Sequence, residues 1–155
     1  MLKRTKEQTG FIMSHIRSKN TSLERRFKAE LDRRGLKKYT ENDQDVFGKP
    51  DFTFKKPKIA VFCDSEFWHG YEWETEKYRI KTNSDFWYAK IERNRTRDVT
   101  VTDRLLADGW IVLRFWGKQI QTNVAACVDE LEKLLATPKK KTPKTPKKLK
   151  PTKKP

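Results

Sequence analysis

Asp51, Asp64, Glu66 and His69 are the side chains whose types and spacing could do chemistry. Asp51 lies in the β-rich run Pro50-Asp51-Phe52-Thr53-Phe54, and Asp64 closes a second run, Ile59-Ala60-Val61-Phe62-Cys63-Asp64. Between them Lys55-Lys56-Pro57-Lys58 is turn chemistry, so the two runs are expected to pair as antiparallel strands. A turn centred between Pro57 and Lys58 sets Asp51 opposite Asp64, and period-two alternation brings Glu66 onto the face of Asp64 if the strand runs that far. Three carboxylates at one end of a hairpin repel one another unless a cation stands between them, and all-oxygen ligands suit hard Mg²⁺. His69 follows within one short loop, placed to act as general base on a water. The same spacing also fits a plainer reading. Asp51 is then a turn residue after Pro50, Asp64 and Glu66 are solvated at a strand end, and His69 is a surface histidine.

Phe67, Trp68, Trp73, Phe86, Trp87 and Tyr88 crowd the segments flanking this cluster. A solvent-facing loop has little reason to hold so many rings. Set among Lys and Arg, rings suit stacking on bases or wedging between them. Satellite core under a long loop is the alternative, expected for Phe86 and equally open for Trp68.

The elements that must position these residues follow from periodicity. Thr21-Ser22 reads as a helix start, and Leu23, Phe27 and Leu31 recur every four residues until Gly35, which predicts an amphipathic helix of about three turns. The hairpin comes next, then a polar, aromatic-rich loop from Phe67 to about Asn83. Ser84-Asp85 can cap a long helix carrying Trp87, Ile91, Leu105 and Leu106, ended by Gly109. Trp110 to Trp116 is expected as a buried strand, and Val124, Cys127, Val128, Leu131, Leu134 and Leu135 line a last helix. Helix, hairpin, helix, strand, helix describes a small α/β layer fold.

The 155 residues carry 36 Lys+Arg against 21 Asp+Glu, a formal net charge of +15. Such an excess implies a polyanionic partner, nucleic acid ahead of a membrane surface. Nine of those charges are lysines in the last 18 residues, which hold five prolines and no acid. This segment cannot bury apolar surface and is expected to be a disordered tail over 137–155, behind a domain over 1–136. The rest of the chain stays basic without it. No apolar run approaches the roughly 18 residues of a membrane span, and Met1 to Lys6 is followed by no signal core, so a cytoplasmic protein is expected. Cys63 and Cys127 make no disulfide framework, and with only His15 and His69 beside them they match no zinc spacing.

An ordered set of motifs then resembles one family. The set comprises Met13-Ser14-His15-Ile16-Arg17-Ser18-Lys19-Asn20-Thr21, Glu24, Gly48-Lys49-Pro50-Asp51-Phe52, Val61-Phe62 and Phe67-Trp68-His69. It continues with Phe86-Trp87, Lys90-Ile91, Asn94, Arg97-Asp98, Gly109-Trp110-Ile111-Val112-Leu113 and Trp116. It is similar to the very-short-patch-repair (Vsr) DNA mismatch endonucleases, within the restriction-endonuclease-like PD-(D/E)xK superfamily. The resemblance implies a small central mixed sheet flanked by helices. It also implies a Mg²⁺-dependent enzyme acting on double-stranded DNA, which nicks the thymine strand on the 5′ side of a T·G mismatch.

Carried over by position, the resemblance makes Asp51 a metal ligand, Cys63 a ligand through its backbone carbonyl, His69 the catalytic histidine and Glu24 the acid of the first helix. Phe67, Trp68 and Trp87 become wedges, with Asn94 and Arg97 beside them on the DNA. Asp64 stands where the family often has histidine, so a direct carboxylate ligand is expected there. The superfamily lysine position holds Glu66, which leans the chemistry on His69. Glu66, Gly70, Tyr71, Glu72, Trp73 and Gly117 occupy the places of the family's zinc ligands, so no structural zinc is expected and Tyr71 and Trp73 are expected to hold the loop by packing. Two other readings stay open: a PD-(D/E)xK-type endonuclease without T·G specificity, and a non-catalytic DNA-binding protein. A monomer is expected, with mismatch-repair proteins as possible partners and a nucleoid association if the source is bacterial.

Overall fold

The computed structural model describes residues 21–137; the motif segment before Thr21 and the expected basic tail lie outside them. Thr21 caps the first helix, α1 (Ser22–Arg33), its hydroxyl accepting from the Glu24 amide. The four-residue repeat does what its spacing dictates, and Leu23, Phe27 and Leu31 are buried. Four strands follow: β1 (Thr40–Glu41), β2 (Phe52–Lys55), β3 (Lys58–Asp64) and, after a long crossover, β4 (Ile111–Trp116). The sheet runs β1-β2-β3-β4, antiparallel between the first three and parallel between β3 and β4. It is a mixed sheet, and helices cover it.

Two expectations about the hairpin need correcting. Lys55 pairs with Lys58 and Phe52 with Val61, so the turn is centred between Lys56 and Pro57, one residue earlier than the turn chemistry suggested. Asp51 therefore precedes the paired residues of β2 and is not set opposite Asp64. The strand also stops at Asp64, because Glu66 begins a short helix, α2 (Glu66–His69). The expected loop from Phe67 to Asn83 is instead α2, a second short helix α3 (Trp73–Glu76) and a 3₁₀ turn (Lys77–Arg79).

The crossover helix α4 (Ser84–Ala107) is as long as its pattern implied, and α5 (Gly117–Ala136) closes the fold. Asn123 leaves helical geometry inside α5, and its Oδ1 accepts from the Ala126 amide to restart the helix. Alternation along β3 divides the core. Ile59 and Val61 face α1 and α5, joining Phe27, Leu31, Phe52, Phe115, Ile120 and Leu131. Ala60 and Phe62 face α4 and pack with Val101 and Leu105. The strand Trp110 to Trp116, expected as buried, forms the sheet's edge, and Ile111 is exposed. Among the described residues no helix is long and apolar enough to cross a membrane.

Candidate active site

At the C-terminal end of β3 the face towards α4 turns polar, and a cleft of about 810 Å³ opens there, with Glu24, Asp51, Asp64, Trp68, His69 and Arg114 in its walls. Asp64 is buried, the last residue of β3. Asp51 reaches the same place from just ahead of β2, where its Oδ2 accepts from the Cys63 amide at 2.7 Å. That bond replaces the cross-strand pairing expected of the hairpin. Glu24, on the first turn of α1, is buried and hydrogen-bonds Asp51. Burial pushes the Asp51 carboxyl up to about 7 against the opposing pull of the Cys63 amide, with the charges of Glu24 and Asp64 adding to the rise. Asp64 is raised as well, chiefly by burial, against the opposing pull of His69 and Arg114.

His69 closes the opposite wall. Its Nδ1 lies 2.6 Å from Asp98 Oδ2 on α4, and its Nε2 lies 3.7 Å from Asp64 Oδ1. Burial disfavours its charge, but the Asp98 hydrogen bond and the Asp64 charge win and raise its pKa. A carboxylate on one nitrogen fixes the ring and directs the other towards the aspartates, the arrangement of an oriented general base. Two glycines permit the backbone to arrive here. Gly48, at φ +79°, runs so close to α4 that an added Cβ would meet Val101 Cγ1 at 2.3 Å; Gly70, at φ +65°, ends α2 against Ile91 and Arg95.

Glu66 does not join the carboxylates, contrary to the alternation argument. Its Oε1 accepts from the Lys118 amide at the start of α5, a favourable place for an anion. The expected ring cluster does form on the cleft's rim. Phe67, Trp68 and Trp87 meet at centroid distances of 5.4 to 5.8 Å, and Lys90 Nζ sits 4.9 Å from the Trp68 ring. Phe86, expected as core, is instead 57% exposed against Trp87. Asn94 donates to the Trp68 carbonyl at 3.0 Å, holding the rim in place, while Arg97 is exposed along the cleft. Tyr71 packs edge-on to Trp116 at 5.0 Å, and buried Trp73 packs on Tyr88 and donates to Glu92. Packing holds the loop as expected.

Two site residues were given no role by the sequence reading, although Asp98 stands in the motif set. Asp98 lies one helical turn beyond Asn94, on the side of α4 that carries Ile91 and Val101, so its helical phase was the available signal. Arg114 is the lone charge in an otherwise apolar strand run, and a charge there demands a partner. It finds Asp64, with Nη1 at 3.0 and 3.2 Å from the two carboxylate oxygens.

Among the described residues no three His, Cys, Asp or Glu side chains gather into a metal cage. The buried Asp64 and the half-buried Asp51 nevertheless fit a hard divalent ion that keeps waters and takes phosphate oxygens as its remaining ligands, which is the habit of Mg²⁺.

A mixed sheet bearing paired aspartates and an oriented histidine in a ring-rimmed cleft defines a phosphodiester-cleaving enzyme of the restriction-endonuclease-like kind. Residues 1–75 match the family described as DNA mismatch endonuclease Vsr. The chain is 47% identical over 127 residues to the type II nicking enzyme V.NmeDIP of Neisseria meningitidis serogroup C, covering 82% of this chain and 85% of that one. It is 48% identical over 98 residues to the type II nicking enzyme V.HpaIIP of Haemophilus parainfluenzae, 63% of this chain and 70% of that one. To the DNA mismatch endonuclease Vsr of Escherichia coli K12 it is 32% identical over 104 residues, 67% and 65% of the two chains. The chain belongs to the Vsr family and is a DNA endonuclease, which removes the reading of a non-catalytic DNA-binding protein.

Proposed function

We propose that this endonuclease nicks the thymine strand of duplex DNA on the 5′ side of a T·G mismatch and depends on Mg²⁺. The observation that carries the reading is the juxtaposition, in one cleft, of the Asp51–Asp64 pair, the His69–Asp98 pair and the ring cluster of Phe67, Trp68 and Trp87. Bound Mg²⁺ would supply stabilisation of the charge developing on the phosphate. Asp51, Asp64 and the Cys63 carbonyl would hold it. His69, with Nδ1 held by Asp98, takes a proton from the attacking water at Nε2, and Glu24 steadies Asp51. The three rings unstack the step at the lesion, where weak pairing makes the deformation cheaper than in matched DNA.

Mismatch action is what the Escherichia coli relative's name states, and nicking is what the names of the other relatives state. The protein works as a monomer in the cytoplasm, with mismatch-repair proteins as further partners. Nicking of matched and T·G duplexes with Mg²⁺ or EDTA tests this. Cutting confined to the thymine strand of the mismatched duplex, and lost in EDTA, is the expected result. Equal cutting of matched DNA favours an endonuclease of the same fold without T·G specificity.

A further inference from the structure

α2 carries Phe67, Trp68 and His69 on a single turn, and none of its four residues is buried. Ser65, at its N-cap, makes no side-chain capping bond. One turn does not hold itself in water, because so few hydrogen bonds do not offset the dihedrals they fix. Its geometry is therefore set by what grips it. On the α4 side, Asn94 donates to the Trp68 carbonyl at 3.0 Å, Asp98 lies 2.6 Å from His69 Nδ1, and Trp87 meets the Phe67 and Trp68 rings. On the side of α5, which packs on the other face of the sheet, Glu66 reaches across and its Oε1 accepts from the Lys118 amide. The fit is close. A Cβ on Gly117 would meet Glu66 Oε2 and Leu23 Cδ1, each at 2.9 Å, and the Trp116 amide is already taken by Gln119 Oε1 at 2.8 Å.

We propose that Glu66 is a positioning residue for the ring cluster: by tying α2 to the start of α5 it holds Phe67 and Trp68 in the orientation from which they enter the base stack. The inference rests on the reading of those rings as wedges. His69, at the far end of α2, has its own anchor in Asp98, so slack at Glu66 falls on the two rings beside it and not on the histidine. A wedge held in place before DNA arrives loses little further freedom on binding, and a hydrogen bond to a carboxylate is strong enough to hold it.

Reach and charge are separable at this position. Glu66→Asp keeps the charge but withdraws it by one methylene, whereas Glu66→Gln keeps an acceptor at full length. In the full chain, Glu66→Asp should lower Mg²⁺-dependent nicking of a T·G duplex roughly tenfold, the size of one lost charged hydrogen bond. Glu66→Gln should stay within about threefold of the wild type, because a neutral acceptor keeps about half of that bond. A T·G duplex with 2-aminopurine beside the mismatched thymine, bound in EDTA, reports unstacking as a rise in fluorescence, which Glu66→Asp should diminish without weakening affinity for matched DNA. On a duplex whose neighbouring pairs are already open, Glu66→Asp should nick at the wild-type rate, an outcome that a general loss of stability would not give. Equal losses on the closed and opened duplexes, or a Glu66→Asp chain as active as the wild type, overturn the positioning role alone. Activity kept by Glu66→Asp and lost by Glu66→Gln would make charge the determinant and also overturn it. A wild-type chain that binds the T·G duplex with no rise in fluorescence shows instead that the reading of the rings as wedges has failed, and the role of Glu66 falls with it.

Discussion

Asp51 carries a charge that the folded protein resists, and this gives the site a testable pH signature. Its pKa rises from 3.8 to about 7 on folding, and those of Asp64 and His69 also rise. A group whose pKa is raised in the folded state contributes stability that is complete below its unfolded pKa and is lost as pH climbs through the folded value. In EDTA the melting temperature should therefore decline between about pH 4 and pH 7, and Mg²⁺ should raise it more at pH 8 than at pH 5. Asp51→Asn should flatten much of that decline. The same substitution should abolish nicking while leaving DNA binding intact or tighter, because a charge that repels phosphate is removed; His69→Ala should also abolish nicking. Full activity in either variant would refute the assignment. Asp51 and His69 were legible as candidates because turn chemistry and a short loop bring them together by local rules. Asp98 and Arg114 were given no role, since each meets its partner only through tertiary packing, 29 or 50 residues away in the chain.

The elements were readable wherever one face is apolar over several turns, as in α1 and α4. Sequence periodicity fails where a segment is too short to show a period, which is why α2, α3 and the two-residue β1 were missed. The hairpin's one-residue shift has a different cause. Moving the turn centre by one residue moves each cross-strand partner by two, so that Phe52 meets Val61 rather than Cys63; every side chain keeps its face in both registers, and the apolar alternation therefore could not tell them apart. Close approach of elements also has a measurable consequence. Gly48→Ala would place its Cβ against Val101 at a φ that disfavours side chains, whereas Gly109→Ala shares the positive φ, at +84°, with nothing within 4 Å. The second should cost about 1 kcal/mol from backbone strain alone, and the first about 2 kcal/mol more from the clash, with lost nicking because the Asp51 segment shifts. Chemical denaturation of the two variants separates the contributions. On the rim, Trp68→Ala should lower discrimination between T·G and matched duplexes more than it lowers general affinity; an equal loss on both would mean that the rings are packing and not wedges.

At the scale of the whole molecule the charge is divided between two tasks. The segment after Thr137 contributes nine of the fifteen net positive charges in a stretch without acids, while the groups proposed above for metal, proton transfer and base unstacking sit within the described residues. We expect the lysine-rich end to follow phosphates without reading bases, because ammonium groups set between prolines offer charge but no bidentate fork for a base edge. Each phosphate it neutralises releases counterions and adds about −0.9 to the slope of log affinity against log salt. A chain ending at Thr137 should therefore show a flatter slope and weaker binding to matched and mismatched duplexes alike, with its nicking preference unchanged. Fluorescence anisotropy over a salt series measures the slope, and strand-resolved cleavage measures the preference. An unchanged slope would mean that the segment makes no phosphate contact. A changed preference would place part of the specificity outside the cleft and would make the assignment of mismatch reading to Phe67, Trp68 and Trp87 incomplete.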